Sequence, residues 1–297
     1  MITWVCPLCN SGNIVMIHNK VRISKDTYDY NRQIYKCDDC HIVFQYPLNF
    51  GDFYKEEYRN NWNYSTNIRE YYNNSLGVAL DRLNLINRFL YLENKSLLDV
   101  GCSAGSFLDL VKKSATKKVV GIEPNDSYRE FANTDLKLSV FQDIKDIKRK
   151  FDVVCCFWVL EHVLFPEEFL NSLKSYLKPN GVLFLEVPNV NEALLSFYNV
   201  PEFKNYQYQL PHNWYFDEET IKKLLYKCGF NYCDIVKVQR YGLANHLGWL
   251  AERKPLGNEN RYRELITDSM DDDYKTMLCY KNMNDNLFVM VRRLGDV

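Results

Sequence analysis

Residues Leu97-Leu98-Asp99-Val100-Gly101-Cys102-Ser103-Ala104-Gly105 set an apolar run, one acid and two glycines in succession. The run reads as a buried strand entering a tight turn, and Ser106 to Val111 can open a helix behind it. Glycine has no Cβ and tolerates positive φ, so such a turn lets backbone approach a ligand closely. A second apolar strand, Val119-Val120-Gly121-Ile122, ends in Glu123, 24 positions after Asp99. A carboxylate at the tip of the second strand can accept two hydrogen bonds from a ribose diol.

The chain around this turn alternates between two hydrophobic periods. Leu76, Leu80, Leu83, Ile86 and Leu90 recur at helical spacing and predict a helix before the first strand. Strands are predicted at 96–100, 118–122, 137–141, 151–157 and 181–187, with Asn286 to Arg292 as the last. Pro166 opens a helix with Leu170, Leu173 and Leu177 facing inward, and Asp217 caps another that ends before Gly229. Such alternation predicts an α/β fold, a doubly wound and mostly parallel sheet with helices on both faces.

Four of the ten cysteines fall in two pairs, Cys6-x2-Cys9 and Cys37-x2-Cys40. A two-residue gap lets both thiolates of a pair reach one tetrahedral ion. Cys6, Cys9, Cys37 and Cys40 therefore read as the metal ligands of a zinc ribbon over residues 1–48. With four thiolates no position remains for a catalytic water, so this zinc is expected to be structural. The other six, Cys102, Cys155, Cys156, Cys228, Cys233 and Cys279, lie mostly in apolar segments and read as small buried hydrophobes.

Between ribbon and sheet, residues 49–94 form an aromatic linker and a lead-in helix. Phe50, Phe53, Tyr54, Tyr58, Trp62, Tyr64, Tyr71 and Tyr72 suit either a surface-packed linker or a lid over a ligand. Residues 95–297 form the main domain, with an insertion at 241–285 that is long enough to bind something or to pack an oligomer. Its acidic Asp271-Asp272-Asp273 reads as a solvated helix start. No apolar run approaches membrane-spanning length and no secretion signal is visible, so a cytoplasmic protein away from membranes is expected. A net charge of −1 gives no general attraction to nucleic acid.

Asp-Val-Gly-Cys-Ser-Ala-Gly, Gly-Ile-Glu-Pro, Phe151-Asp152-Val153-Val154, Val159-Leu160-Glu161-His162-Val163, Leu177-Lys178-Pro179-Asn180-Gly181 and Glu186-Val187-Pro188-Asn189 follow in order. The series resembles class I S-adenosylmethionine-dependent methyltransferases over roughly residues 95–240, except that Ser103 stands where the family often has glycine. The resemblance implies a Rossmann-like seven-stranded sheet with an antiparallel last strand. It also implies an S-adenosylmethionine site: Gly101 and Gly105 beside the methionine part, Asp99 toward its ammonium, Glu123 on the ribose, Asp143 near the adenine and Phe157 at the pocket.

For the acceptor, His162 at the end of the fourth strand is the first candidate base, since imidazole titrates near pH 6.5. Glu161 can orient it. His212, in Pro211-His212-Asn213-Trp214-Tyr215-Phe216, resembles a histidine that the family places beside substrate, and His246 in the insertion is the third candidate. The ribbon, the core and the Tyr241-Gly-Leu-Ala-Asn-His-Leu-Gly-Trp249 segment together resemble bacterial sugar methyltransferases of surface-polysaccharide pathways. That implies O-methylation of a small acceptor, a sugar or sugar-linked group carried on a nucleotide. The larger second domain of sugar C-methyltransferases has no counterpart. A ribosomal RNA methyltransferase is the rival enzyme class. However, residues 1–60 hold seven basic and seven acidic side chains, where RNA binding calls for a basic face. A non-catalytic zinc-ribbon binding protein is the third reading, and the intact Asp99 and Glu123 count against it. Homo-oligomerisation is left open.

Overall fold

The computed structural model describes residues 5–24, 27–49, 67–114 and 118–293. Five short strands come first: β1 (Ile14–His18), β2 (Val21–Ser24), β3 (Thr27–Asp29), β4 (Gln33–Cys37) and β5 (Val43–Tyr46). The main sheet is built from β6 (Ser96–Val100), β7 (Lys118–Ile122), β8 (Val140–Phe141), β9 (Phe151–Phe157) and β10 (Leu177–Pro188). A two-residue strand, β11 (Trp214–Tyr215), precedes β12 (Cys233–Val238) and β13 (Asn286–Arg292). The main sheet has seven strands in the order β12-β13-β10-β9-β6-β7-β8. Only β13 runs against its neighbours, antiparallel to both β10 and β12, as expected.

Strand β6 is buried along its whole length, and its alternate residues feed opposite faces. Leu97 packs with Leu83 and Ile86 of α1 (Ile68–Asn87) and with Leu108 and Val111 of α2 (Ser106–Lys113). Leu98 packs on the other side with Leu170 and Leu173 of α4 (Pro166–Ser175) and Ile221 and Leu224 of α7 (Glu218–Lys227). Between these lie α3 (Asp126–Thr134), α5 (Ala193–Ser196) and α6 (Pro201–Gln207); α8 (Leu243–Glu252) and α9 (Asp268–Tyr280) belong to the 241–285 segment. Chain direction across the sheet reverses between β6 and β9, and ligands in open α/β sheets gather beyond the strand ends at such a point.

Three expectations change. The strand predicted at 137–141 shrinks to Val140–Phe141, because Lys137 takes a positive φ that ends an extended run. The strand predicted at 181–187 extends to Leu177–Pro188, so Leu177, expected on the inner face of the helix that Pro166 opens, belongs to the strand instead. Asp271 is not simply solvated: its carboxylate accepts the Leu243 amide at 2.7 Å and so holds the start of α8. Of the aromatic segment, Tyr71 and Tyr72 lie on α1, while Phe50, Phe53, Tyr54, Tyr58, Trp62 and Tyr64 fall outside the described residues.

A strand pairing joins the two halves of the chain. The small sheet runs β1-β4-β5-β11, so its last strand comes from the segment after β10. No helix among the described residues is long and apolar enough to cross a membrane.

Candidate active site

One cavity of about 1260 Å³ opens at the carboxyl ends of β6, β7 and β9. Gly101, Glu123, Asp143, Phe157, Glu161, His162, His212 and His246 all line it. These candidates, spread over some 150 positions, share one space, whereas Gly105 does not line it and packs against Leu138 and Ala132 instead.

The turn after β6 explains its glycines. Gly101 has φ +82°, and a Cβ there would lie 2.4 Å from Val159 Cγ2. Gly105 has φ +83°, with the Leu138 side chain 2.7 Å from a built Cβ. Ser103 also adopts a positive φ, +52°, a conformation that costs a side-chain-bearing residue roughly 1–2 kcal/mol. Its amide donates to Glu123 Oε2 at 2.9 Å, and a charge-assisted bond of that kind offsets the strain. Glu123 Oε1 accepts the Asn125 amide at 2.8 Å, so both oxygens are held in place. Each keeps acceptor capacity for a further donor.

Asp99 is 3% exposed. Burial pushes its carboxyl up to about 7; Arg82 opposes the rise and the Glu123 charge adds to it. A cationic ligand placed beside it would restore the carboxylate. Asp143 is exposed at the rim, where Oδ1 accepts the Lys145 amide at 2.9 Å. Phe157 is mostly a core residue, packed edge-on to Phe107 and stacked on Phe288, and it shows the cavity one face. Tyr71 stacks on Tyr128 with ring centres 4.9 Å apart and covers this end. Two buried acids, a tight turn that opens on Gly101 and aromatic walls fit a ligand that is cationic at one end and carries a ribose. S-adenosylmethionine has that chemistry.

At the other end, Glu161 and His162 follow β9 and are clasped by the segment before β11. The amides of Asn213 and Trp214 donate to the Glu161 carbonyl at 2.8 and 3.1 Å. Asn213 Nδ2 donates to the His162 carbonyl at 2.9 Å, and Trp214 Nε1 to the Val163 carbonyl at 2.7 Å. The His162 and His212 rings meet edge to face, centres 4.8 Å apart. His162 Nδ1 lies 2.9 Å from the Pro211 carbonyl, and Nε2 lies 3.9 Å from Glu161 Oε1. His246 stands on α8, with Nδ1 2.6 Å from the Tyr274 hydroxyl, which in turn meets Tyr198. It lines the cavity outside the Glu161–His162–His212 cluster.

The expectation of a histidine titrating near neutrality does not survive. Burial pushes His162 down to about 4, and His212 is driven well below its ordinary value by burial and then by His162. His246 falls to about 4 for the same reason. Glu161 moves the opposite way, up to about 8, because it is buried and Glu186 stands nearby. The rings are neutral at working pH and weaker bases than free imidazole.

Sequence reasoning missed several residues here. Trp158 has φ +55° and is flanked by the guanidinium groups of Arg82 at 4.0 Å and Arg240 at 4.5 Å. Arg82 also pairs with the buried Glu186 at 2.6 Å. Gln45 of β5, fully buried, donates from Nε2 to the Leu210 carbonyl and to Asn213 Oδ1, both at 2.9 Å. No local pattern marks these residues, since each acts through a partner distant in sequence.

The four ribbon cysteines converge, with all sulfurs within 4.8 Å of one another. Cys6 Sγ lies 3.7 Å from Cys40 Sγ, and Cys9 Sγ 3.6 Å from Cys37 Sγ. Tetrahedral zinc with bonds of about 2.3 Å sets sulfurs about 3.8 Å apart, so the donor set fits that ion. The other six cysteines are buried or half-buried and free.

Comparison with known proteins agrees with the geometry. Residues 69–235, more than half the chain, match the family model of a methyltransferase domain. A ubiquinone biosynthesis O-methyltransferase of Actinobacillus pleuropneumoniae is 31% identical over 186 residues, 57% of this chain and 76% of that protein. A tRNA U34 carboxymethyltransferase of Campylobacter curvus is 31% identical over 114 residues, 35% of this chain and 38% of that protein. The chain thus spans well under half the length of that relative. Among solved structures, an Archaeoglobus fulgidus SAM-dependent methyltransferase aligns with TM-score 0.50 and 17% identity, covering 74% of this chain and 95% of that one. One from Mesorhizobium loti gives TM-score 0.50 and 13% identity, with 73% and 100% covered. At these identities the structures speak for the fold alone. With the sheet order, the turn after β6 and the matched span in agreement, the chain belongs to the methyltransferase-domain family.

Proposed function

We propose that the protein O-methylates a hydroxyl of a small, sugar-class acceptor carried on a nucleotide, using S-adenosylmethionine. The observation that carries this reading is the single cavity linking the Gly101 turn, Asp99 and Glu123 to Glu161, His162 and His212. In this reading Asp99 meets the cofactor's ammonium, Glu123 holds its ribose, and Asp143 stands at the adenine end. The cofactor, when bound, supplies a methyl group on a sulfonium. The chain's task is to align the acceptor oxygen and relieve it of its proton. Of His162 and His212, one is assigned the proton and the other the orientation of the acceptor, with Glu161 orienting His162, while His246 borders the acceptor. Tyr206, Tyr241 and Trp249 line the same end, and flat apolar faces with polar tips suit sugars and bases. The relative named for O-methylation is covered over three-quarters of its length, the tRNA-modifying one over less than half. That difference favours a small hydroxyl acceptor over RNA. Residues 1–48 are proposed as a structural zinc ribbon, on the sulfur spacing.

The test is S-adenosylhomocysteine release with a panel of nucleotide-linked sugars, against transfer RNA as comparison. His162→Ala and His212→Ala should keep S-adenosylmethionine affinity and lower turnover about 10²-fold or more. Turnover with transfer RNA alone would overturn the acceptor class.

A further inference from the structure

Glu161, His162 and His212 do more than share a wall. Their ligand-capable atoms all lie within 4.8 Å of one another. Glu161 is 1% exposed, and its Oε2 is buried with no hydrogen-bond partner. A buried carboxyl oxygen left so is costly, and a missing ligand accounts for it. His162 sets its Nδ1 against the Pro211 carbonyl at 2.9 Å. Metal-ligating histidines are held in this way, by a backbone carbonyl on one nitrogen that aims the other at the ion. Here the other nitrogen, Nε2, is the atom facing Glu161 at 3.9 Å.

We propose that Glu161, His162 and His212 bind one divalent first-row transition-metal ion on the acceptor wall of the cavity. Two imidazoles and one carboxylate on one side of a site suit such ions better than magnesium or calcium, and leave positions open. Bonds of about 2.1 Å set neighbouring ligand atoms roughly 3–3.4 Å apart, so the Glu161–His162 pair closes by about half an ångström. At His212 the ion displaces the Gln209 amide, now 3.0 Å from Nε2. What the ion would do there rests on the proposed O-methylation: coordination would lower the pKa of a bound acceptor hydroxyl, whose proton would pass to solvent water, with the two histidines acting as ligands in place of a base.

The experiment uses the full-length, tag-free protein with zinc on the ribbon, equilibrated with Co²⁺ and read by metal analysis and visible absorption. The expected result is one Co²⁺ per chain with weak bands and no thiolate charge-transfer band. Glu161→Gln and His212→Ala should each weaken that binding at least tenfold while zinc content and S-adenosylmethionine affinity stay unchanged, which also shows that the variants fold. Absence of Co²⁺ uptake outside the cysteines, or uptake unaltered in both variants, overturns the proposal. Co²⁺ uptake in a chain that binds no S-adenosylmethionine leaves the metal site standing and refutes the function instead.

Discussion

Stripping the metal from the proposed zinc ribbon should loosen the acceptor side of the active site without touching the cofactor side. Residues 1–49 and the His212 segment share a sheet through β5 and β11, and five hydrogen bonds of 3.1 Å or less are among those that add to that pairing. Leu210 donates its amide to the Arg22 carbonyl at 2.8 Å, and the Gln45 amide donates to the Asn213 carbonyl at 3.1 Å. Gln45 Nε2 adds two bonds at 2.9 Å, and the Asn49 amide donates to Asn213 Oδ1 at 2.7 Å. At a net contribution of about 1 kcal/mol each, they hold the segment by about 5 kcal/mol. Losing even half of that raises local opening roughly fifty- to a hundredfold. Hydrogen exchange read by mass spectrometry, before and after chelation, should show this loss over 209–216 while 96–111 stays protected. Unchanged protection over 209–216 in zinc-free protein refutes the coupling. Equal loss over both peptides refutes it too, because the ribbon would then belong to the global folding unit.

Asp99 gives a pH dependence. With its carboxyl at about 7 in the free protein, binding a cation below pH 7 must release a proton. S-adenosylmethionine affinity should therefore fall by up to tenfold from pH 7 to 6, and calorimetry in buffers of different ionisation enthalpy should show the proton; Asp99→Asn abolishes the dependence. Gly101→Ala places a methyl 2.4 Å from Val159 Cγ2 at φ +82°, so chemical denaturation should show a loss of about 2 kcal/mol or more. Burial alone would raise Asp152, but bonds from Lys178 and Ser96 hold it at about 2. Its stabilisation is present above pH 4 and lost as pH falls toward 2, and Asp152→Asn should cost about 1 kcal/mol at pH 7 after solvent screening.

What the sequence could disclose follows from how far apart the interacting residues lie. The β6 turn was legible because its constraint is local: positive φ at Gly101 and Gly105 belongs to single residues. The cysteine pairs were legible because a knuckle is four residues long. The helices facing the sheet were legible from their apolar spacing, confirmed by Leu170 and Leu173 on one side and Leu83 and Ile86 on the other. Strand β11 was not, because two residues carry no periodicity and Trp214 and Tyr215 find their partners in Phe44 and Val43, some 170 positions away.

The same limit explains the histidines. Residue type and position placed His162, His212 and His246 at one cavity, yet a titration near neutrality was expected of His162 from its free value. Burial depends on what packs around a ring, and here that comes from Asn213, Pro211 and the ribbon behind them. Gln45 shows how deep the dependence runs. Its amide, fully buried, reaches Asn213, and Asn213 reaches the His162 carbonyl. Any change in the ribbon that moves Gln45 is therefore felt at the acceptor wall through two side chains. The proposed zinc ribbon, whose four cysteines would leave no open position for chemistry, thereby acquires a part in positioning it.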